Sequence, residues 1–170
     1  MIDVRQNHGG DDALGIALAA RLTKSRYLAY KKAALKTDGK QQHFTSAQAA
    51  EVDPTSRPGF RGTVILLTGP DTVSAGETLA MALMEREPHV TRIGLDTQGV
   101  FSDVLTRSLV NGWRFRLPNE VYYTANGKSF DGGGVPPDIA VPFFSTEDMQ
   151  AGRDTAIEKT IQVIAQLGKQ

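Results

Sequence analysis

Thr63-Val64-Ile65-Leu66-Leu67-Thr68-Gly69-Pro70-Asp71-Thr72-Val73-Ser74-Ala75-Gly76-Glu77 joins an unbroken apolar run to a Gly-Pro break and then to Ser-x-x-Glu. A run without polar alternation suits a strand covered on both faces, so 63–67 predicts a buried parallel strand. Ser74-x-x-Glu77 has the form of a capping box. The helix it would open runs from about Ala75 to Glu87, with Leu79, Ala80, Leu83 and Met84 on one face. A strand turning straight into an apolar helix is the repeating unit of α/β folds.

Outward from this stretch the same alternation continues. Downstream, Val90 to Gly94 is a short strand. Upstream, Ile2-Asp3-Val4-Arg5 alternates apolar and polar before a turn at Asn7, Gly9 and Gly10. Asp11-Asp12 caps a helix with Leu14, Ala17, Leu18 and Leu22 at helical spacing. Tyr27 to Ala34 reads as a strand, and Lys31-Lys32 mark it as an edge. Residues 36–61, rich in Gln, Ser, Pro and Gly, predict an irregular excursion with one short helix at Ser46 to Glu51. In the C-terminal half, 103–109 and 113–117 flank Asn111-Gly112, a hairpin turn signal. Val121 to Thr124 turns at Asn126-Gly127, and Ile139 to Val141 is a last strand. A closing helix is predicted from about Thr146 through Ile157, Ile161, Ile164 and Leu167, stopped by Gly168. The fold class is α/β, with antiparallel hairpins in the C-terminal half, in one domain over 1–170. A core strand beginning at residue 2 has no lead-in, which predicts that the chain is the C-terminal part of a longer protein, truncated at its N-terminus.

Composition narrows the function. Of 170 residues, 40% are hydrophobic and 22% charged, which excludes the signature of disorder. Lys+Arg and Asp+Glu are 19 each, so the basic excess that phosphate backbones demand is missing and nucleic acid is not an expected partner. No apolar run reaches the roughly 18 residues of a membrane span. The chain has no cysteine, which removes disulfides, thiolate metal sites and a cysteine nucleophile. His8, His43 and His89 lack metal-ligand spacing, so no metal or other cofactor is expected. The compartment stays open.

Three turns could carry chemistry. Asn7-His8-Gly9-Gly10-Asp11-Asp12 presents backbone N–H groups at a helix N-terminus, where Asp11 and Asp12 repel a phosphate but a small transient oxyanion fits. The same glycines also serve a tight turn. Ser74 is either an N-cap or a nucleophile pushed out over a sheet edge, with the Ala75 amide beside it. In Phe130-Asp131-Gly132-Gly133-Gly134-Val135-Pro136-Pro137-Asp138, Asp131 either orients a catalytic partner or solvates a turn.

Together and in this order, these segments resemble the tail-specific protease family, the C-terminal-processing and tricorn-like serine peptidases. Asp3-Val4-Arg5-Gln6-Asn7-His8-Gly9-Gly10 is similar to the family's Asp-Leu-Arg-x-Asn-x-Gly-Gly, and Thr72-Val73-Ser74-Ala75-Gly76-Glu77 to its Thr-x-Ser-Ala-x-Glu. Gly94-Leu95-Asp96-Thr97-Gln98-Gly99 follows Gly-x-x-Thr-x-Gly. Asp131 to Asp138 follows Glu-Gly-x-Gly-Val-x-Pro-Asp, with Asp131 in the place of Glu. The resemblance covers about residues 2 to 142. It implies a crotonase-like (ClpP-like) core, Ser74 as nucleophile, and an oxyanion hole from Ala75 and one of Gly9 or Gly10. Asp131 would help orient the base. The lysine that processing peptidases carry after the threonine turn is absent, since 97–102 reads Thr-Gln-Gly-Val-Phe-Ser. The tricorn-like branch uses an upstream His that has no counterpart here, so the chain is expected to hold part of an active site.

The resemblance thus implies hydrolysis of peptides or unfolded proteins through an acyl-enzyme on Ser74. A non-catalytic module of the same fold, binding a ligand or a protein, is the alternative, and an acyl-CoA enzyme of the wider fold a third. An open sheet edge would favour a homo-oligomer.

Overall fold

The computed structural model describes residues 1–167. Its central layer is a parallel sheet of β1 (Ile2–Asp3), β5 (Ile65–Thr68), β6 (Thr91–Gly94) and β10 (Ile139–Ala140), in the order β1-β5-β6-β10. The register pairs Ile2 with Leu66 and Leu67 with Ile93. Side chains alternate across a strand, and β5 shows why its run must be apolar throughout. Val64 and Leu66 enter one core with Leu79, Leu83 and Val90, while Ile65 and Leu67 enter a second with Ile93, Ala156 and Val163. Helices α1 (Asp12–Ala20) and α2 (Ala75–Met84) build the first side, and α4 (Thr155–Leu167) covers the second.

An antiparallel sheet stands beside this layer. Its long strand β2 (Tyr27–Asp38) pairs with β3 (Gln41–Phe44) and β4 (Gln48–Val52), and also with β9 (Glu120–Thr124). Strands β7 (Val104–Ser108) and β8 (Arg114–Pro118) form a separate hairpin closed by Asn111-Gly112, as the turn signal predicts. The fold is mixed α/β, with parallel and antiparallel sheets.

Five expectations need correction. β2 is not an edge, because β4 and β9 both pair with the segment containing Lys31 and Lys32. The Lys32 ammonium lies 3.0 Å from Asp103, 3.4 Å from Glu120 and 5.5 Å from the Tyr122 ring centroid, which accommodates a lysine inside a sheet. Residues Ser46 to Glu51 hold no helix: Gln48–Val52 is β4, since pairing with β2 overrides a weak alanine preference. With β3, that strand also orders much of the excursion predicted as irregular. The closing helix is two, α3 (Thr146–Gln150) and α4, divided at 151–154. The Gly168 stop lies outside the described residues. Leu14, placed on the apolar face of α1, is 71% exposed.

Candidate active site

Ser74 occupies the turn from β5 into α2 with φ 53° and ψ −114°, a backbone that a residue bearing Cβ holds only when its surroundings impose it. Here three segments impose it. The Thr72 hydroxyl donates to the Val4 carbonyl at 2.7 Å and accepts the Gly69 N–H at 3.1 Å. The Val73 N–H donates to the Asn7 carbonyl at 2.9 Å. The Ser74 N–H is shared between the Val100 carbonyl at 3.0 Å and the Glu77 carboxylate at 3.1 Å. The Glu77 half of the expected capping box forms, its carboxylate accepting the Ser74 N–H, while the Glu77 N–H donates to the Ser74 carbonyl at 2.8 Å. The half-buried Ser74 hydroxyl makes no hydrogen bond to the described residues.

The glycine turn lies directly against it. A Cβ built on Gly9 would come within 3.1 Å of Ser74 Cβ and 3.6 Å of its Oγ. The Gly9 N–H is engaged, donating to Asn7 Oδ1 at 2.9 Å. The N–H groups of Gly10 and Ala75 have no acceptor among the described residues. Two donors are therefore free in the segments that meet at Ser74.

Glu77, which the sequence reading treats only as part of a capping box, ties the Ser74 turn to the segment after β6. It is 0% exposed, and its carboxylate accepts the Thr97 hydroxyl at 2.6 Å and the N–H groups of Gly99 at 2.6 Å, Val100 at 2.9 Å and Ser74 at 3.1 Å. A buried carboxylate is tolerable only when donors replace its hydration, and here they do. A signal was available: a helix as apolar all round as 75–84 is buried all round, so its one acid had to find partners inside.

Through Glu77 the third motif reaches Ser74, and through Thr97 the fourth. Thr97 Oγ1 accepts the Val135 N–H at 2.7 Å, and the Gly132 N–H donates to the Gly99 carbonyl at 2.8 Å. A Cβ on Gly134 would lie 2.1 Å from the Thr97 carbonyl oxygen, so only glycine permits this approach. Asp131 stands at the exposed start of this loop, its N–H on Ser129 Oγ at 3.3 Å and its carboxylate bonded to no described residue.

The histidines do not converge on Ser74. His43 faces Asp38 at 3.6 Å, His89 faces Asp138 at 3.4 Å, and His8 is exposed in the glycine turn. Among the described residues, no group of three or more His, Asp or Glu side chains could hold a metal ion, and no helix is long and apolar enough to cross a membrane.

Behind the glycine turn, Arg5 is buried between two carboxylates. It meets Asp3 and Asp154 at 2.7 Å each, while the rings of Phe143 and Phe144 lie 4.9 and 4.7 Å from its guanidinium carbon. Burial disfavours its charge, but the two carboxylates outweigh that and raise its pKa. The motif arginine thus ties β1 to the start of α4.

Residues 1–141 match the profile of peptidase family S41. The chain belongs to that family. A candidate peptidase from Parabacteroides merdae superposes with a TM-score of 0.84 at 29% identity, over 95% of this chain and 50% of its own. The photosystem II D1 C-terminal processing protease gives 0.61 at 24%, over 82% of this chain and 33% of its own. Tricorn protease gives 0.69 at 19%, over 99% of this chain and 15% of its own. At those lower identities the last two speak for a shared fold. This S41 chain spans half or less of the length of each. No curated protein sequence matches it. Membership of S41 supports a peptidase function and agrees with the resemblance drawn from the four motifs.

Proposed function

We propose that this S41 chain contributes the nucleophile and oxyanion hole of a serine peptidase acting on peptides or unfolded proteins. The observation that carries the reading is the Ser74 corner: a strained turn presents an uncapped hydroxyl against Gly9, with the Gly10 and Ala75 N–H groups unengaged. The core around it is read as crotonase-like.

Ser74 Oγ bonds to the scissile carbonyl carbon while the carbonyl electron pair moves onto oxygen, held by the Ala75 and Gly10 N–H groups. Each such donor contributes roughly 3 kcal/mol to the barrier reduction. Collapse breaks the C–N bond, and the hydroxyl proton leaves with the amine by way of a general base. Water then attacks the ester, releasing the acid and restoring Ser74. Gly9 supports the hydroxyl by contact, its N–H being held by Asn7. Asp131 is assigned the part of orienting the base. That base is not among the groups hydrogen-bonded to Ser74 in this structure, and its approach to the hydroxyl sets the nucleophile's strength. The chemistry as proposed calls on no metal or organic cofactor.

The test is labelling of the folded chain with a fluorophosphonate and location of the adduct by mass spectrometry. An adduct on Ser74, lost in Ser74→Ala, is expected. A folded chain without that adduct overturns the nucleophile assignment and leaves a binding module of the same fold.

A further inference from the structure

The β7–β8 hairpin pairs with no other described strand, and every residue of its two strands is exposed. A hairpin in that position gains nothing in water from apolar side chains. Yet this one carries seven of the seventeen large hydrophobic residues exposed among the described residues. Leu105 faces Leu117, Arg107 faces Phe115, and the Leu109 N–H donates to the Trp113 carbonyl at 2.8 Å. That register puts Leu105, Leu109, Trp113, Phe115 and Leu117 on one face. At the tip Val110 is wholly exposed and Trp113 is 72% exposed. The charge is one-sided as well, since Arg107, Arg114 and Arg116 are the charged residues of 104–118. Asp103 and Glu120, at the base, are turned to Lys32 at 3.0 and 3.4 Å. We propose that this hairpin docks the chain on an anionic lipid bilayer, with Leu109, Val110 and Trp113 in the interface and the three arginines at the phosphates. The proposal goes beyond the peptidase reading and stands whether or not Ser74 reacts.

Depth supports the assignment. A strand rises roughly 3.3 Å per residue, so Arg114 and Arg116 lie about 3 and 10 Å behind Trp113, and Arg107 about 7 Å behind Leu109. An element lying in the membrane interface is buried about 5–10 Å. A tip at the acyl boundary therefore leaves the arginines among the headgroups, where anionic lipid attracts them. Tryptophan favours the same level, having an apolar ring with one N–H donor. The turn also carries partners for its own backbone. Besides the Leu109 N–H, the Gly112 N–H donates to the Leu109 carbonyl at 2.9 Å and the Trp113 N–H to Asn111 Oδ1 at 3.1 Å. Three arginines alone are few for electrostatic binding, and three apolar side chains are few for insertion, so the two signals act together. Other occupants fit less well. A two-fold pairing of apolar faces would gather the Arg107 side chains of both copies in one small patch, with like charges opposed. A partner strand added along the hairpin's edge would leave the tip in water.

Trp113 is the sole tryptophan of the chain, so its emission reports on the hairpin alone. The full chain is titrated with vesicles of phosphatidylglycerol and phosphatidylcholine in equal parts, and with vesicles of phosphatidylcholine. A blue shift of Trp113 on the mixed vesicles is expected, with quenching by lipids brominated on their acyl chains. Affinity for the mixed vesicles should exceed that for the neutral ones at least about tenfold and fall as salt screens the arginines. Val110→Asp changes a side chain surrounded by solvent, so folding is spared, and it should weaken binding about tenfold or more. Replacing Arg114 and Arg116 together, Arg114→Gln with Arg116→Gln, should remove most of the preference for anionic lipid while sparing the tip. Absence of vesicle binding, binding with unmoved Trp113 emission, or equal affinity for the two vesicle types each overturns the proposal. So does self-association without vesicle binding, abolished by Val110→Asp, which would make the hairpin a contact between copies.

Discussion

Gly9 and Ser74, far apart in the chain, pack so closely that a methyl group fits between them only tightly: Gly9 has φ 101°, and its ideal Cβ would stand 3.1 Å from Ser74 Cβ. Gly9→Ala therefore meets two penalties, the strained backbone and the contact. Strain of this kind costs about 1–3 kcal/mol. We expect a loss of about 2 kcal/mol in denaturant unfolding, together with loss of the fluorophosphonate adduct, because the serine must move. Gly127→Ala is the control: φ is 82° but nothing lies within 4 Å of the added Cβ, so stability should fall while labelling persists. Equal labelling of the two variants would show that the Gly9–Ser74 contact is incidental.

Glu77→Gln separates charge from shape. The amide keeps one accepting oxygen but turns an NH₂ toward two of the groups that now donate to the carboxylate. Each buried donor left without an acceptor costs about 1–3 kcal/mol, so a loss of about 3 kcal/mol is expected by urea unfolding. At denaturant concentrations where the variant stays folded, its Ser74 adduct should form more slowly, since the Ser74 N–H and the Val100 segment lose their common anchor. A variant as stable as the parent would mean that water replaces these contacts.

How far such relationships were legible depends on how many segments each involves. The run 63–67 shows its two-sided burial in its own letters, and Asn111-Gly112 shows its hairpin, because both are local. The mistaken strand environment at Lys31-Lys32 is not local. A lysine pair indicates an edge unless acids arrive from elsewhere, and Asp103 and Glu120 come from more than seventy positions away. The alanines at 49 and 50 likewise take their strand from β2. At the site, Ser74, Ala75 and the glycines were recognisable as an ordered set of motifs. The engagement of the Gly9 N–H by Asn7, and the fourfold ligation of Glu77, depend on distances that spacing does not carry.

Acid should loosen the Arg5 clamp. Arg5 hydrogen bonds hold the Asp154 carboxyl below its usual pKa, and for Asp3 the same guanidinium outweighs the upward push of burial. A carboxyl depressed in the folded state contributes stability that is complete above its unfolded value, about 3.9, and is lost as pH falls through the folded value. Melting followed from neutral pH downward should therefore drop below about pH 4. Asp154→Asn should be less stable than the parent at neutral pH, and the gap should close as acid protonates the parent's own Asp154. A gap independent of pH would show that the clamp acts by packing against Phe143 and Phe144 rather than by charge.

Arg86 offers a second buried cation held in a different way. It is 0% exposed and meets no carboxylate among the described residues: its three nitrogens donate to the carbonyls of Leu22, Pro88 and Gly62 at 2.8, 2.7 and 2.8 Å. Three chain segments therefore converge on one planar fork, following α1, following α2 and preceding β5. A lysine is charged too but has a single ammonium in place of the fork, so it cannot reproduce three divergent donors from one trigonal centre. Arg86→Lys should thus destabilise by about 2–4 kcal/mol, near the value of one or two charge-assisted hydrogen bonds. Arg86→Met, which strands all three carbonyls, should cost more. Because the fork stands outside the Ser74 corner, the adduct formed per folded molecule should not change in either variant, and thermal unfolding alone should report the loss. If Arg86→Lys matched the parent in stability, charge rather than the directed fork would be what holds these three segments together.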